Sequence, residues 1–402
     1  MPMSTSVKFF SSAMLNAPQI TGTLGSLISV LDACLVDGWN LITVDSVSVS
    51  AGIATANIAA GHGFGKWQVV QVAGGTPSGL NGEHRVTEVT TNTVKFEAPG
   101  VADGSATGTI TMKTAPAGWV KAFAGTNKGA YKVDQTKYPT STGMLVRVHH
   151  DTAYGARVVG YETMSGIDTG TGQFPQNAQI PGGLGIALSE NGSTSDPRGW
   201  FIVADDRMVY LGTLHYGTYA TTTIGPSWSA FGEYKSVRSA DAFNFLVAAN
   251  SATSYSGGAP GDDLQFCNNI RFERQYLPRT YDNLGGAIRF TTRSWPSQYG
   301  ASGGSGAPMP YPNGPDNGVY LGPLDIFEVD NSNYSTHLRG TYPGVLMIPH
   351  RVTSRIVSDA RTPYLDNAVA GQAGKVIGFY PLYTNNGSNG VVAFDLVGPW
   401  EH

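Results

Sequence analysis

Side chains able to do acid–base or metal chemistry are sparse in this 402-residue chain and gather in a few short groups. The densest is His149-His150-Asp151, closing the strand-like run Met144-Leu145-Val146-Arg147-Val148-His149. Neighbouring side chains of a strand point to opposite faces, so the two imidazoles cannot chelate one ion from the same strand. A strand end with one solvated histidine is the expectation. The eight histidines (62, 84, 149, 150, 215, 337, 350 and 402) contain no i, i+4 pair bracketing a glutamate, the arrangement of a helical zinc site. Gly61-His62-Gly63-Phe64-Gly65-Lys66 has the glycines and lysine of a phosphate loop. Trp67 stands where a Ser or Thr is needed, and a strand-like run follows instead of a helix, so amides and dipole would not converge on an anion. That segment reads as a β-turn cluster.

Two adjacent acid pairs, Asp205-Asp206 and Asp262-Asp263, are the candidates for paired carboxylates. A glycosidase holds two carboxyls about 5–10 Å apart across a sugar. Adjacent acids at a hairpin tip or in a Gly/Ser loop more simply accept bonds from nearby amides and form turns, and that reading is adopted for both. Gly261-Asp262-Asp263 also matches a fragment of polymerase motifs, with no other polymerase feature in the chain. Nothing in sequence lowers the thiol pKa of Cys34 or Cys267. The expectation is a non-enzymatic chain with no catalytic, cofactor-binding or metal-ligating residue. Both cysteines are expected to be reduced and structural, because disulfide scaffolds use many cysteines in short chains.

The elements that would position these groups are almost all strands. The helical signal is Leu24, Leu27, Ile28, Leu31, Cys34 and Leu35, one face of a 3.6-residue period, with Thr23 as N-cap and Asp37-Gly38 as the stop. It predicts an amphipathic helix over 24–37, packing on a sheet of its own chain or on a neighbouring subunit. From residue 41 the period becomes two, with strands at 41–49, 67–72, 84–89, 93–96 and 107–112 separated by Gly-rich turns. Beyond 115 the runs 144–149, 156–161, 243–247, 345–348, 375–380 and 391–394 continue the pattern, and 200–204 with 208–211 reads as a hairpin around Asp205-Asp206-Arg207.

The expected fold class is mainly β: small sandwich or barrel modules, one N-terminal amphipathic helix and long irregular loops. Residues 1–39 form an arm and helix packing with the main domain, 40–114 a small inserted β-module, and 115–402 a main β-rich domain with loops at 250–263 and 296–318. Loops of that length are commonly functional or disordered, and Tyr299, Met309, Tyr311 and Tyr320 sit in or beside the second.

Charge narrows the partners. Only 13% of residues are charged, against about 25% in a typical soluble domain, and the net charge is -4. Such a chain has no field to attract nucleic acid or an anionic membrane. The charge-free stretch between Lys8 and Asp32 is broken by Ser, Asn, Pro, Gln, Thr and Gly, and no segment approaches the 18 or more apolar residues of a membrane span. Synthesis in a cytoplasm without an export signal is expected. With 52 Gly and 23 Pro beside 41% apolar residues, the chain is turn-rich yet able to bury a core.

Val7-Lys8-Phe9-Phe10-Ser11-Ser12-Ala13-Met14, Ala17-Pro18, Gly22-Thr23-Leu24-Gly25-Ser26-Leu27 and Leu31-Asp32-Ala33-Cys34-Leu35-Val36-Asp37-Gly38 together resemble the N-terminus of virion structural proteins encoded among the tail and late genes of tailed bacteriophages. The resemblance runs on through Gly79-Leu80-Asn81-Gly82, Ala115-Pro116-Ala117-Gly118-Trp119 and Trp200-Phe201-Ile202-Val203-Ala204-Asp205-Asp206, covering the first half well and the rest weakly. It implies a structural subunit of tail, baseplate or collar, located in the virion and homo-oligomeric, with other tail or connector proteins as partners. No site residue is carried over. The alternatives are a receptor- or carbohydrate-binding particle-surface protein contacting the host surface through Trp228, Trp295 or Trp400, a capsid decoration protein, and a β-scaffold glycan hydrolase.

Overall fold

The structure is a computed structural model that describes residues 3–215, 226–249, 275–294, 314–318, 320–332, 334–348, 364–366, 374–382 and 390–402. Asp262-Asp263, Cys267, Trp295, loop 250–263 and loop 296–318 up to residue 313 lie outside the described residues.

Three successive strands, Trp200–Ala204, Met208–Thr213 and Ser227–Glu233, are buried along their whole length. Both faces of these strands are apolar. Trp200, Ile202 and Ala204 enter one core with Val209, Leu211 and Phe231, while Phe201 and Val203 enter another with Met208, Tyr210 and Trp228. A sheet covered on both sides needs continuous apolar runs rather than alternation. Fully burying each such side chain is worth about 1.5–3 kcal/mol.

These strands belong to a sheet of thirteen among the described residues, and every described pairing in it is antiparallel. Its first strand is Lys8–Ser11, paired with Trp200–Ala204, and it runs through Phe245–Ala248, Gln275–Leu277, Ile288–Ser294, Gly322–Val329 and Ser335–Met347 to Gly390–Asp395, Ile377–Leu382 and Tyr364–Asp366. The later strands return Tyr342, Val345, Met347, Tyr380, Val392 and Phe394 to the second core. The large sheet therefore curls over part of itself.

The first core is closed by the helix and by a middle sheet of Val120–Gly125, Lys128–Lys132, Leu145–Thr152, Gly155–Gly166 and Thr169–Phe174, with Leu184–Ala187 also pairing on Gly155–Gly166. The helix covers Ser26–Asp32 and continues as a π-helical turn over Ala33–Asp37, ending at Gly38 (φ 71°). Its stop is where the sequence places it, and it packs on its own chain. Its start is not: Leu24 is exposed, and the N-cap is Gly25 at φ 91° rather than Thr23. Nδ1 of His150 accepts the N–H groups of Gly25 (3.1 Å) and Leu27 (3.5 Å), supplying from another element the acceptor a capping side chain would give.

Strands between residues 39 and 114 form a third sheet of eight around a core of its own that includes Val47, Val49, Val70, Val72, Val86, Val94 and Phe96. The run read as one strand over 41–49 is two, Trp39–Thr43 and Ser46–Ser50, bent where Asp45 accepts the N–H of Ala59 at 2.7 Å. Each half pairs with the stretch 104–114, so the sheet rolls up. Ile53–Asn57, unassigned by periodicity, pairs between Ser46–Ser50 and Thr93–Glu97. The N-terminal arm is clamped against this sheet by the buried guanidinium of Arg85, which donates to Ser4 O (2.8 Å), Trp67 O (2.7 Å) and Val7 O (2.9 Å). Burial lowers the pKa of Arg85 to about 10. Lys8–Glu83 (2.8 Å) lies alongside.

Candidate functional site

The acid pair Asp205-Asp206 does form the turn of the hairpin, but not at the surface. Both residues are buried, at 3% and 4% exposure. Asp205 Oδ1 accepts the N–H groups of Arg207 (2.9 Å) and Met208 (2.7 Å), the turn-forming bonds expected of it. Its Oδ2 meets His402 Nε2 at 2.6 Å. Asp206 Oδ2 accepts Tyr138 Oη at 2.8 Å and pairs with Lys137 Nζ.

One strand further on, Glu233 joins them. Its Oε1 accepts Ser141 Oγ (2.6 Å), Thr142 N (2.7 Å) and Thr142 Oγ1 (3.0 Å), and its Oε2 pairs with Arg207 (2.6 Å to Nη2, 2.7 Å to Nε). The imidazole of His402 uses its second nitrogen on Glu233 O (2.8 Å), and Trp119 Nε1 donates to Asp205 O (2.9 Å). Lys137, Tyr138, Ser141 and Thr142 come from the connection between two middle-sheet strands, and the acids come from the large sheet. The group is a charged seam between the two sheets.

The electrostatics follow from this pairing. Burial alone would neutralise both members of the Asp205–His402 pair; against it, each holds the other charged, so the carboxyl lies below its ordinary range and the imidazole above its own. Burial likewise opposes the ammonium of Lys137, but its bond to Asp206 raises it. A general acid needs a carboxyl held neutral near the working pH. Asp205 is pushed the other way, and Glu233 receives five bonds on its two oxygens. The arrangement can lock two sheets together, because Glu233 and Asp206 of the large sheet are held by Ser141, Thr142, Lys137 and Tyr138 of the middle-sheet connection.

The other groups singled out in sequence separate. His149 and His150 do face opposite ways: His149 is half-buried, and His150, fully buried, serves the helix start. Burial lowers the pKa of His150 to about 4, keeping Nδ1 an acceptor. Gly61–Lys66 is a loop whose His62 is buried against Thr90 O (2.7 Å) and accepts Phe64 N (3.0 Å). No group of three or more His, Cys, Asp or Glu with metal-ligand geometry occurs among the described residues. Cys34 is a buried free thiol whose pKa burial pushes up. Trp228 and Trp400, candidates for stacking on sugars, are core residues at 1% and 8% exposure.

Two arrangements have no signal in sequence. Ser227 Oγ lies 2.9 Å from His215 Nδ1, a nucleophile–base spacing, but both residues are buried, and burial lowers the pKa of His215 to about 4. Arg279 and Glu162, 117 residues apart, form a fork-to-fork pair (Nε–Oε1 2.5 Å, Nη2–Oε2 2.9 Å) on the wall of an open cleft.

No family model matches the chain, and no curated protein matches it. Among solved structures it is similar to a phage protein, "Phage phi92 endosialidase", at 14% identity and a TM-score of 0.17, over 90% of this chain and 52% of that one. The chain thus spans about half the length of that neighbour, and an overlap of this quality carries no argument about activity. No helix among the described residues is long and apolar enough to cross a membrane.

Proposed function

We propose that the chain is a non-enzymatic structural subunit of a tailed-phage virion, in the tail, baseplate or collar. It acts by symmetric assembly with copies of itself and with other virion proteins, after synthesis in the host cytoplasm. The observation that carries this reading is the charged seam. Asp205, Asp206 and Glu233 are engaged by His402, Lys137, Tyr138, Arg207, Ser141 and Thr142, so that these three acids serve as part of a staple between sheets. A rigid β-scaffold fixed in this way suits a part that repeats around an axis, where modest contacts multiply. The N-terminal resemblance points to the same class of protein.

Immunogold electron microscopy of purified particles, with antibody to this chain, tests the reading. Label clustered at the tail or its tip supports it. Label over the head moves the chain to capsid decoration, and particles without label, intact or opened, overturn the virion role. Loss of cell-wall turbidity with the purified chain would instead favour a glycan hydrolase.

A further inference from the structure

A cleft of about 220 Å³ opens where the middle sheet meets the large sheet, and its lining is mixed, with Glu162, Arg279 and Gln176 beside Pro278 and Leu284. Glu162 reaches it from strand Gly155–Gly166, and Arg279 follows strand Gln275–Leu277. Glycines keep it open: a Cβ on Gly172 would fall 2.4 Å from the Glu162 carboxyl carbon, and one on Gly286 would fall 2.6 Å from Gln176 Nε2. On the rim, Leu284 is 82% exposed, and its turn is fixed from within. Asp282 accepts Thr280 Oγ1 (2.5 Å) and Leu284 N (3.0 Å), and Thr280 accepts Gly285 N (2.9 Å). The leucine is thus held outward by an ordered turn.

The chemistry selects the ligand. The Arg279–Glu162 fork is neutral as a unit yet presents donors and acceptors side by side. A phosphate or carboxylate would compete with Glu162 for the guanidinium, and a metal ion or amine would compete with Arg279 for the carboxylate. A neutral polyol breaks neither bond: one hydroxyl donates to Glu162, a neighbour accepts from Arg279 or from the Gln176 amide, and the C–H face of the ring lies on Leu284. At about 220 Å³ the cleft is smaller than the roughly 300 Å³ at which drug-sized pockets begin, which leaves space for about one sugar ring. We infer that this cleft binds a single pyranose ring of a neutral glycan through Glu162, Arg279 and Gln176, with Leu284 as its apolar platform. The inference goes beyond the assembly role and does not depend on it.

Saturation-transfer difference NMR on the full chain tests it, with methyl α-glucopyranoside, methyl β-galactopyranoside, N-acetylglucosamine and glucuronate as probes. Transfer to the ring protons of at least one neutral sugar is expected, weakened about tenfold in both Gln176→Ala and Leu284→Ser, whose thermal unfolding should match the parent because both side chains are exposed. No transfer to any neutral sugar, transfer undiminished in both variants, or preference for glucuronate would each overturn it. Immunogold labelling reads the virion role separately, so either idea can fail alone.

Discussion

Two acid–arginine pairs lie where the middle and large sheets meet, with opposite relations to water. At the seam, Glu233 and Arg207 meet at 2.6 Å with the carboxylate side chain at 0% exposure. At the cleft, Glu162 and Arg279 meet at 2.5 Å with side chains 17% and 32% exposed. The partners and distances are alike; the solvent differs. A desolvated pair is costly to form and far more costly to break on one side only, whereas a partly hydrated pair contributes little and leaves its remaining lone pairs and N–H groups open to hydroxyls or water. The same two residue types therefore act as a fastener in one place and leave a recognition surface in the other.

The sharpest way to break this contrast is to remove one acid from each place. Glu233→Ala leaves Arg207 without its carboxylate and should cost about 3–5 kcal/mol in urea unfolding, whereas Glu162→Ala should cost about 0–1 kcal/mol. Equal losses would mean that burial is not what separates them. His402→Ala is the next test of the seam, with an expected loss of about 1–3 kcal/mol as Asp205 loses a partner.

The His402 variant also carries a pH signature. The imidazole pKa is raised in the fold, so its contribution is full below about 6.5 and is lost as pH rises through the raised value. The parent should lose stability over that alkaline-side step, and His402→Ala should not.

On the acid side the sign reverses. His150 and His215 titrate near 4 in the fold and near 6.5 when unfolded, so the unfolded chain takes up protons first and stability falls as pH drops from about 6.5 to about 4. Each contributes a slope of up to about 1.4 kcal/mol per pH unit within that window. His150→Gln retains an acceptor for the helix start and should flatten the slope seen in pH-dependent melting. The smallest effect belongs to the cleft: Glu162→Gln should shift urea stability by less than about 1 kcal/mol, and the shift should shrink further in salt.

Much of the fold was legible in the sequence because strand periodicity is local. Ser46–Ser50 alternates strictly between exposed and buried, and the unbroken apolar run of Trp200–Ala204 marks a strand covered on both sides. Strands without a clean apolar face gave no such signal: Val120–Gly125 has no buried residue, and Thr169–Phe174 is mostly Gly and Thr on an exposed edge. Leu24 fits the helical period but precedes Gly25, whose left-handed backbone starts the helix after it. Of the seam, the sequence showed only Asp205-Asp206. Glu233, Lys137 and His402 lie 28, 69 and 197 residues from the acids they join or neighbour, and no local pattern reports such distances. The cleft was invisible for the same reason.

The pairing of Lys8–Ser11 with Trp200–Ala204 has a consequence for the newborn chain. Ser11 lies opposite Phe201, 190 residues later. At about 5–20 residues per second, the first strand leaves the ribosome some ~10–40 s before its neighbour exists. In that interval the rolled sheet of residues 39–114, whose strand partners all lie within that span, can condense, and its Arg85 can take hold of the waiting arm through Ser4 and Val7. The early-made rolled sheet would then serve as a holder for an unpaired edge, shielding it from neighbouring nascent chains until the large sheet arrives to claim it.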